Sequence, residues 1–269
     1  MRWLLIIMMT VFFTNGARAS LLMNVPAEEK VLQVHGGAVQ ELHAERWYRL
    51  LVWNVLKGTR PGLMGDLRRL SREADLVLLQ ESLLGGAMYD FFTEHESIQW
   101  TTAVSYENWE NKATGVTIGS RWPPVWRSFT RSKAREPLIK TPKMIVYNRF
   151  AITGHEHDLL VANIHGINFV SATSFASQLN QMSDVVAHHL GPLIVAGDFN
   201  TYNNARWDHL YGFADQHELE LVEFSDDQRF LRLDSILVRG IRVEDGKILS
   251  RVDTSDHRPL TVRFFLPAD

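Results

Sequence analysis

Six short segments place acidic, amide or imidazole residues directly after apolar runs: Trp53-Asn54, Gln80-Glu81, Asn163-Ile164-His165-Gly166, Gly197-Asp198-Phe199-Asn200, Leu233-Asp234-Ser235 and Ser255-Asp256-His257-Arg258-Pro259. Together they supply four carboxylates (Glu81, Asp198, Asp234, Asp256), two imidazoles (His165, His257) and two amides (Asn54, Asn200). Gathered in one place, four carboxylates repel one another and raise each other's pKa unless a cation offsets them. Magnesium suits that task, because it is a hard ion that takes oxygen ligands and leaves positions for water and a phosphate oxygen. The other groups then fit attack of water on phosphorus: a carboxylate to take the proton, imidazoles to meet the developing charge, and the metal to neutralise it. Taken singly, each segment has a plainer reading. Asn54 can close a turn, Glu81 can be a solvated residue after a buried strand, and the Gly197 to Asn200 stretch can be a tight turn and helix cap.

Such a site needs strands that end near one another. Apolar, β-prone runs at residues 48–53, 76–79, 115–118, 144–147, 159–164, 193–196, 233–238 and 260–265 read as strands, several of them ending at the segments above. Residues 66–74 read as a charged helix. Residues 174–190 place Phe175, Leu179, Met182, Val185 and Val186 at helical spacing, one face against a sheet. Asp245-Gly246 between Ile241-Arg242-Val243 and Lys247-Ile248-Leu249 predicts a hairpin turn. Strands alternating with helices and also pairing through a hairpin indicate a mixed-sheet α/β protein, in which chemistry collects beyond the strand ends. His155, His157, His188 and His189 have ligand-like spacing, but His188-His189 closes the second helix and reads as structural.

At these residues the chain resembles the endonuclease/exonuclease/phosphatase superfamily, the deoxyribonuclease I-like proteins. The matching pieces are Trp53-Asn54, Leu79-Gln80-Glu81, Thr114-Gly115-Val116 with Ser120-Arg121, Asn163-Ile164-His165, Gly197-Asp198-Phe199-Asn200, Leu233-Asp234-Ser235-Ile236-Leu237 and Ser255-Asp256-His257-Arg258-Pro259. Residues 51–54, 161–169 and 224–229 look like a bacterial branch known under generic hydrolase or uncharacterised-protein names. The resemblance implies a four-layer α/β sandwich of two mixed β-sheets flanked by helices. It implies Glu81 as the principal Mg²⁺ ligand (Mn²⁺ being the other candidate ion), with Asn54 and Asp256 beside it. Asp198 would orient or deprotonate the water, Asn200 would bond the scissile phosphate, and His257 would meet a phosphate oxygen as an imidazolium held by Asp234. His165 stands where relatives place a histidine or tyrosine on the phosphate or leaving group. The activity implied is metal-dependent hydrolysis of phosphoric esters.

Composition sets the outer limits. The 269 residues are 45% hydrophobic and 22% charged, which excludes disordered, collagen-like and coiled-coil classes. Zero cysteines exclude disulfides, thiolate metal sites and a cysteine nucleophile. Arg2, an apolar run over residues 3–13 and Ala17-Arg18-Ala19 predict a secretory leader cut after Ala19, the run being shorter than the ~20 residues of a membrane-spanning helix. Residues 20–45 then form a lead-in and 46–269 a single catalytic domain, periplasmic or secreted and monomeric, with no stable protein partner implied. Between Arg121 and Lys143 seven basic residues, Arg121, Arg127 and Arg131 among them, accompany one acid, with Trp122, Trp126 and Phe129 interleaved. Cations with aromatics suit a phosphate backbone with unstacked bases, so Arg121, Arg127, Arg131 and Trp126 are candidate substrate-binding residues and the expected activity is a nuclease on DNA or RNA. The same composition suits peripheral contact with an anionic membrane, which keeps a phosphoinositide- or sphingomyelin-type hydrolase open. A secreted binding or toxin-like protein without turnover is the reading from another class.

Overall fold

Alternate side chains of β3 (Arg46–Asn54) part to opposite faces: Leu50 and Val52 enter one buried cluster, Leu51 and Trp53 another. That division repeats in strand after strand and generates layers. The computed structural model describes residues 23–94 and 97–269, so the leader expected at residues 1–19 lies outside the described residues. Seven strands form a mixed sheet in the order β1 (Leu32–Gly36), β5 (Gln99–Glu107), β6 (Ala113–Ser120), β4 (Leu76–Leu84), β3, β15 (Leu260–Leu266) and β14 (Arg242–Ile248). Six more follow the order β12 (Glu220–Leu221), β13 (Asp234–Arg239), β11 (Leu193–Asp198), β10 (Leu159–His165), β8 (Met144–Phe150) and β7 (Trp126–Arg131). A short parallel pair, β2 (Leu42–His43) and β9 (Ile152–Thr153), stands apart.

The inner faces of the large sheets share one core, in which Val52, Leu78, Ile118 and Val262 of the first meet Val146, Val161, Ile194 and Ile236 of the second. Helices α1 (Leu63–Glu73) and α2 (Gly86–Glu94) bury Leu63, Leu67, Phe91 and Phe92 against the outer face of the first sheet. On the second, α3 (Ala172–Val186) and α4 (Asn204–Gln216) bury Phe175, Leu179, Met182, Leu210 and Phe213. Ser171 Oγ and Asn203 Oδ1 cap these two helices by accepting from Ser174 N and Arg206 N. The result is the four-layer sandwich that the resemblance implied.

Each of the two large sheets contains one parallel pair, β3 with β4 and β10 with β11, and their remaining ladders are antiparallel. Parallel strands deliver their C-terminal ends to the same side, so Asn54, Gln80, His165 and Asp198 finish together. Gly197 makes the β10/β11 approach close enough: its φ is +140°, and a Cβ there would lie 2.1 Å from Ile164 O.

Two expectations need correction. Asp245-Gly246 is no hairpin turn but a bulge inside β14, where the ladder to β15 shifts register between Glu244 and Lys247. Asp245 does take a left-handed φ of +53°, so the backbone preference was real and served a bulge instead. Part of the basic segment, read as one run, is the edge strand β7 paired to β8.

Gly197→Ala is expected to cost about 3 kcal/mol or more, since it combines backbone strain with a clash that no side chain can relieve. A urea titration of the two proteins measures it.

Candidate active site

The first sheet contributes Asn54, the last residue of β3, and Glu81, which occupies a bulge in β4 where pairing to β6 breaks between Leu79 and Ser82. The bulge holds Glu81 at φ +54°, turning it out of the alternation that buries Leu79. From the second sheet, His165 and Asp198 are directly paired strand ends, and Asp234 opposes Asp198 from the start of β13. Asp256 and His257 sit on the turn entering β15. Beneath them the sheets are tied by buried amides: Gln80 Nε2 donates to Asn163 Oδ1 at 2.6 Å, and Asn163 Nδ2 donates to Leu79 O and Thr117 O.

Asp198 is the centre. It is 2% exposed, and accepts from Asn54 Nδ2 at 3.0 Å and from Asn200 N at 2.9 Å. His165 Nε2 and His257 Nε2 lie 3.5 and 3.8 Å from its Oδ2. Asn200, at φ +53°, uses its side-chain amide on Gly166 O. His257 is itself held by Asp234, with Nδ1 2.8 Å from Oδ2, while its carbonyl accepts from Trp53 Nε1. Arg229 forks onto Asp227 and donates to Asp234 O, which gives the 224–229 motif a positioning task.

The two imidazoles differ in charge. For His257 burial favours the neutral ring, but Asp234, then Asp198 and Asp256, outweigh it and push the pKa up to about 10. Burial, reinforced by Lys143, lowers His165 to about 4. Burial would also raise Glu81, yet His165, Lys57 and Lys143 bring it down to about 2. Burial raises Asp198, against the pull of His165 and His257.

All eight residues implied for catalysis and metal binding except Asp234 line one cleft of about 770 Å³, and Asp234 lies immediately behind His257. The four substrate-binding candidates do not join them. Arg121 donates to Ala74 O and Arg72 O, and Arg127 to Gln99 Oε1, both at the opposite end of the first sheet. Arg131 donates to Pro26 O, and Trp126 lies under Arg149. Their cations are committed to the fold. His188 contacts Asp184 O at the end of α3, as a structural residue should.

Lys57 was not anticipated as a site residue. Its Nζ stands 2.9 Å from Glu81 Oε2, carried there by three successive left-handed residues, Leu56, Lys57 and Gly58, at φ +44°, +56° and +71°. Asn54 Oδ1 starts that turn by accepting from Leu56 N. Lys143, from the basic segment, reaches the cleft and pairs with the buried Glu136 at 3.4 Å.

The oxygen donors Glu81, Asn54 and Asp256 open on the same cleft and fit a hard divalent cation. Asp198, Asp234 and His257 also bring ligand-type atoms within 4.8 Å of one another. There, however, the imidazolium already fills the role of a cation, and Nδ1 is used by Asp234. An ion at Glu81 must share that carboxylate with Lys57.

A sequence profile of the endonuclease/exonuclease/phosphatase family matches residues 51–257. The chain belongs to this family. Its members are phosphoric ester hydrolases and generally depend on a divalent metal, and the protein is an enzyme of that class. It is 34% identical over 230 residues to a UPF0294 protein of Klebsiella pneumoniae (strain 342), covering 83% of this chain and 84% of the relative. Among solved structures it resembles an endonuclease/exonuclease/phosphatase from Beutenbergia cavernae DSM 12333, with TM-score 0.64 and 16% identity over 82% of this chain and 72% of that one. The human Nocturnin catalytic domain with bound sulfate gives TM-score 0.63 and 17% identity, covering 87% and 96%. At these identities the structural likeness speaks for the fold.

Two measurements test the electrostatics. Removing the competing ammonium with Lys57→Met is expected to tighten Mn²⁺ binding about fivefold or more by calorimetry, whereas Glu81→Gln weakens it. In nitrogen-15 spectra of the metal-free protein His257 should remain an imidazolium from pH 6 to beyond 8, while His165 stays neutral down to pH 5. Because the folded pKa of His257 is raised, its stabilisation is complete below about pH 6.5 and disappears as pH rises through about 10.

Proposed function

We propose that the chain is an exported, Mg²⁺-dependent phosphodiesterase that cleaves its ester by in-line attack of water. The observation that carries this is the convergence of Asn54, Glu81, His165, Asp198, Asn200, Asp234 and His257 from both sheets on one cleft and the wall behind it. Bound by Glu81, with Asn54 and Asp256 beside it, Mg²⁺ would neutralise the charge developing on the phosphate and leaving oxygen. Asp198 takes the proton of the attacking water, its carboxylate oriented by Asn54 and Asn200 N and its basicity increased by burial. His257 donates from Nε2 to a phosphate oxygen while Asp234 fixes its tautomer. Asn200 spends one amide hydrogen on Gly166 O and has a second for the same phosphate. Neutral His165 holds its Nε2 between Glu81 and Asp198, next to the reacting atoms.

A nucleic-acid substrate is the reading drawn from residues 121–143, and nuclease activity is the first to assay. Arg121, Arg127 and Arg131, which supported it, are engaged elsewhere, and of that segment's cations Lys143 lines the cleft, so the choice of substrate passes to the cleft itself. Purified residues 20–269 are expected to hydrolyse bis(p-nitrophenyl) phosphate with Mg²⁺ and to stop in EDTA. Asp198→Asn should lower kcat by about 10²-fold or more while the protein stays folded. Full turnover in EDTA, or in the Asp198→Asn protein, overturns the mechanism; uncut plasmid DNA beside a cleaved small diester overturns the nuclease reading alone.

A further inference from the structure

The two sides of His257 differ in polarity. On one side the catalytic cleft has a wall of Tyr106, Val116, Leu138, Ile139, Met144 and Phe169. On the other, a second cleft of about 1250 Å³ shares Leu233, Asp256 and His257 with the first, and is lined by Asp234, Glu223, Asp226, Arg229, Asp245, Lys247 and Arg258 among others. A phosphate held by His257 would therefore lie at a boundary between an apolar trough and a charged one. Within the apolar trough Lys57 pairs with Glu81 and Lys143 with Glu136. Ser105 uses its hydroxyl on Pro142 O.

Among the described residues, nothing gives the rim of that wall the cover that a structural residue would have. Leu138 is 49% exposed and Phe169 73% exposed, although both line the cleft. Phe169 is held at φ +55°, a conformation that bulky side chains rarely adopt, with Asn168 Oδ1 accepting from its N–H. Strain of this kind persists where the surroundings impose it, and it gathers at ligand-binding positions. Four of the six wall residues, Val116, Leu138, Ile139 and Met144, are aliphatic, which suits a flexible hydrocarbon better than the hydrogen-bonding edge of a nucleobase.

We propose that the catalytic cleft accepts the aliphatic arm of an amphipathic phosphodiester along Val116, Met144, Leu138 and Phe169, its polar arm facing the charged cleft beyond His257. This rests on the phosphodiesterase reading and adds a substrate class to it. It leads to a dependence on chain length, because every methylene buried on the wall contributes binding and one in water contributes none.

The test has two arms. In the first, p-nitrophenyl methyl, butyl and hexyl phosphate are hydrolysed with Mg²⁺ below the concentration at which they form micelles, alongside thymidine 5′-(p-nitrophenyl phosphate). In the second, methyl-, butyl- and hexylphosphonate are titrated calorimetrically against the same protein without turnover. The expected result is a rise of about tenfold or more from methyl to hexyl in kcat/KM and in affinity. The Leu138→Ser/Phe169→Ser double variant should bring the hexyl-to-methyl ratio towards one. An equal or inverted ratio in the wild type overturns the inference, as does a thymidine ester preferred over the hexyl ester. If no ester is hydrolysed the phosphodiesterase reading fails, while the phosphonate titration still decides whether the wall binds hydrocarbon.

Discussion

The hydrogen bond from Asn54 to Asp198 joins the ends of two sheets that share a largely apolar core. A carboxylate buried to this degree is tolerated only when its lone pairs are used and its charge is answered. Asp198 meets both conditions with groups from several parts of the chain: Asn54 from β3, the Asn200 backbone, and the imidazoles of His165 and His257. Taking away any partner leaves a buried charge short of compensation, so fold and site are bound to one residue. The Gln80–Asn163 amide pair below it and the Trp53 bond to His257 O secure the same junction.

Backbone strain is concentrated around that centre. Of the ten left-handed non-glycine residues among those described, Lys57, Glu81, Phe169 and Asn200 line the catalytic cleft. Each such residue costs about 1–3 kcal/mol, and surrounding packing must sustain it. Arg206 is one source of that packing. It is fully buried, stacks against Phe175 and Tyr202, and donates to Ile167 O and Phe199 O, fixing the loops that follow β10 and β11.

Much of this was legible in the sequence. Strands such as 159–162 and 193–196 are continuous apolar runs, and acids or amides at their ends mark where chemistry collects. Strand β5 was not legible because Thr101, Thr102 and Ser105 are buried and satisfied by bonds to Asn148, Thr117 and Pro142 O, so a buried strand looks polar. Helix α4 was hidden for a related reason, since Arg206 occupies a buried position in it. Lys57 left no signal in spacing, its place depending on a left-handed turn that residue types do not announce. In the basic segment, counting charges does not reveal that Arg121, Arg127 and Arg131 are spent on carbonyl and amide oxygens while Lys143 lines the cleft.

A water molecule positioned by Asp198, with no covalent intermediate, is the central claim, and the stereochemical course at phosphorus tests it most directly. Hydrolysing a chiral phosphorothioate diester in ¹⁸O-labelled water should give a product carrying the label on phosphorus with inverted configuration. Retention of configuration would require two successive displacements through an enzyme-bound phosphoryl group, and would contradict the role assigned to Asp198.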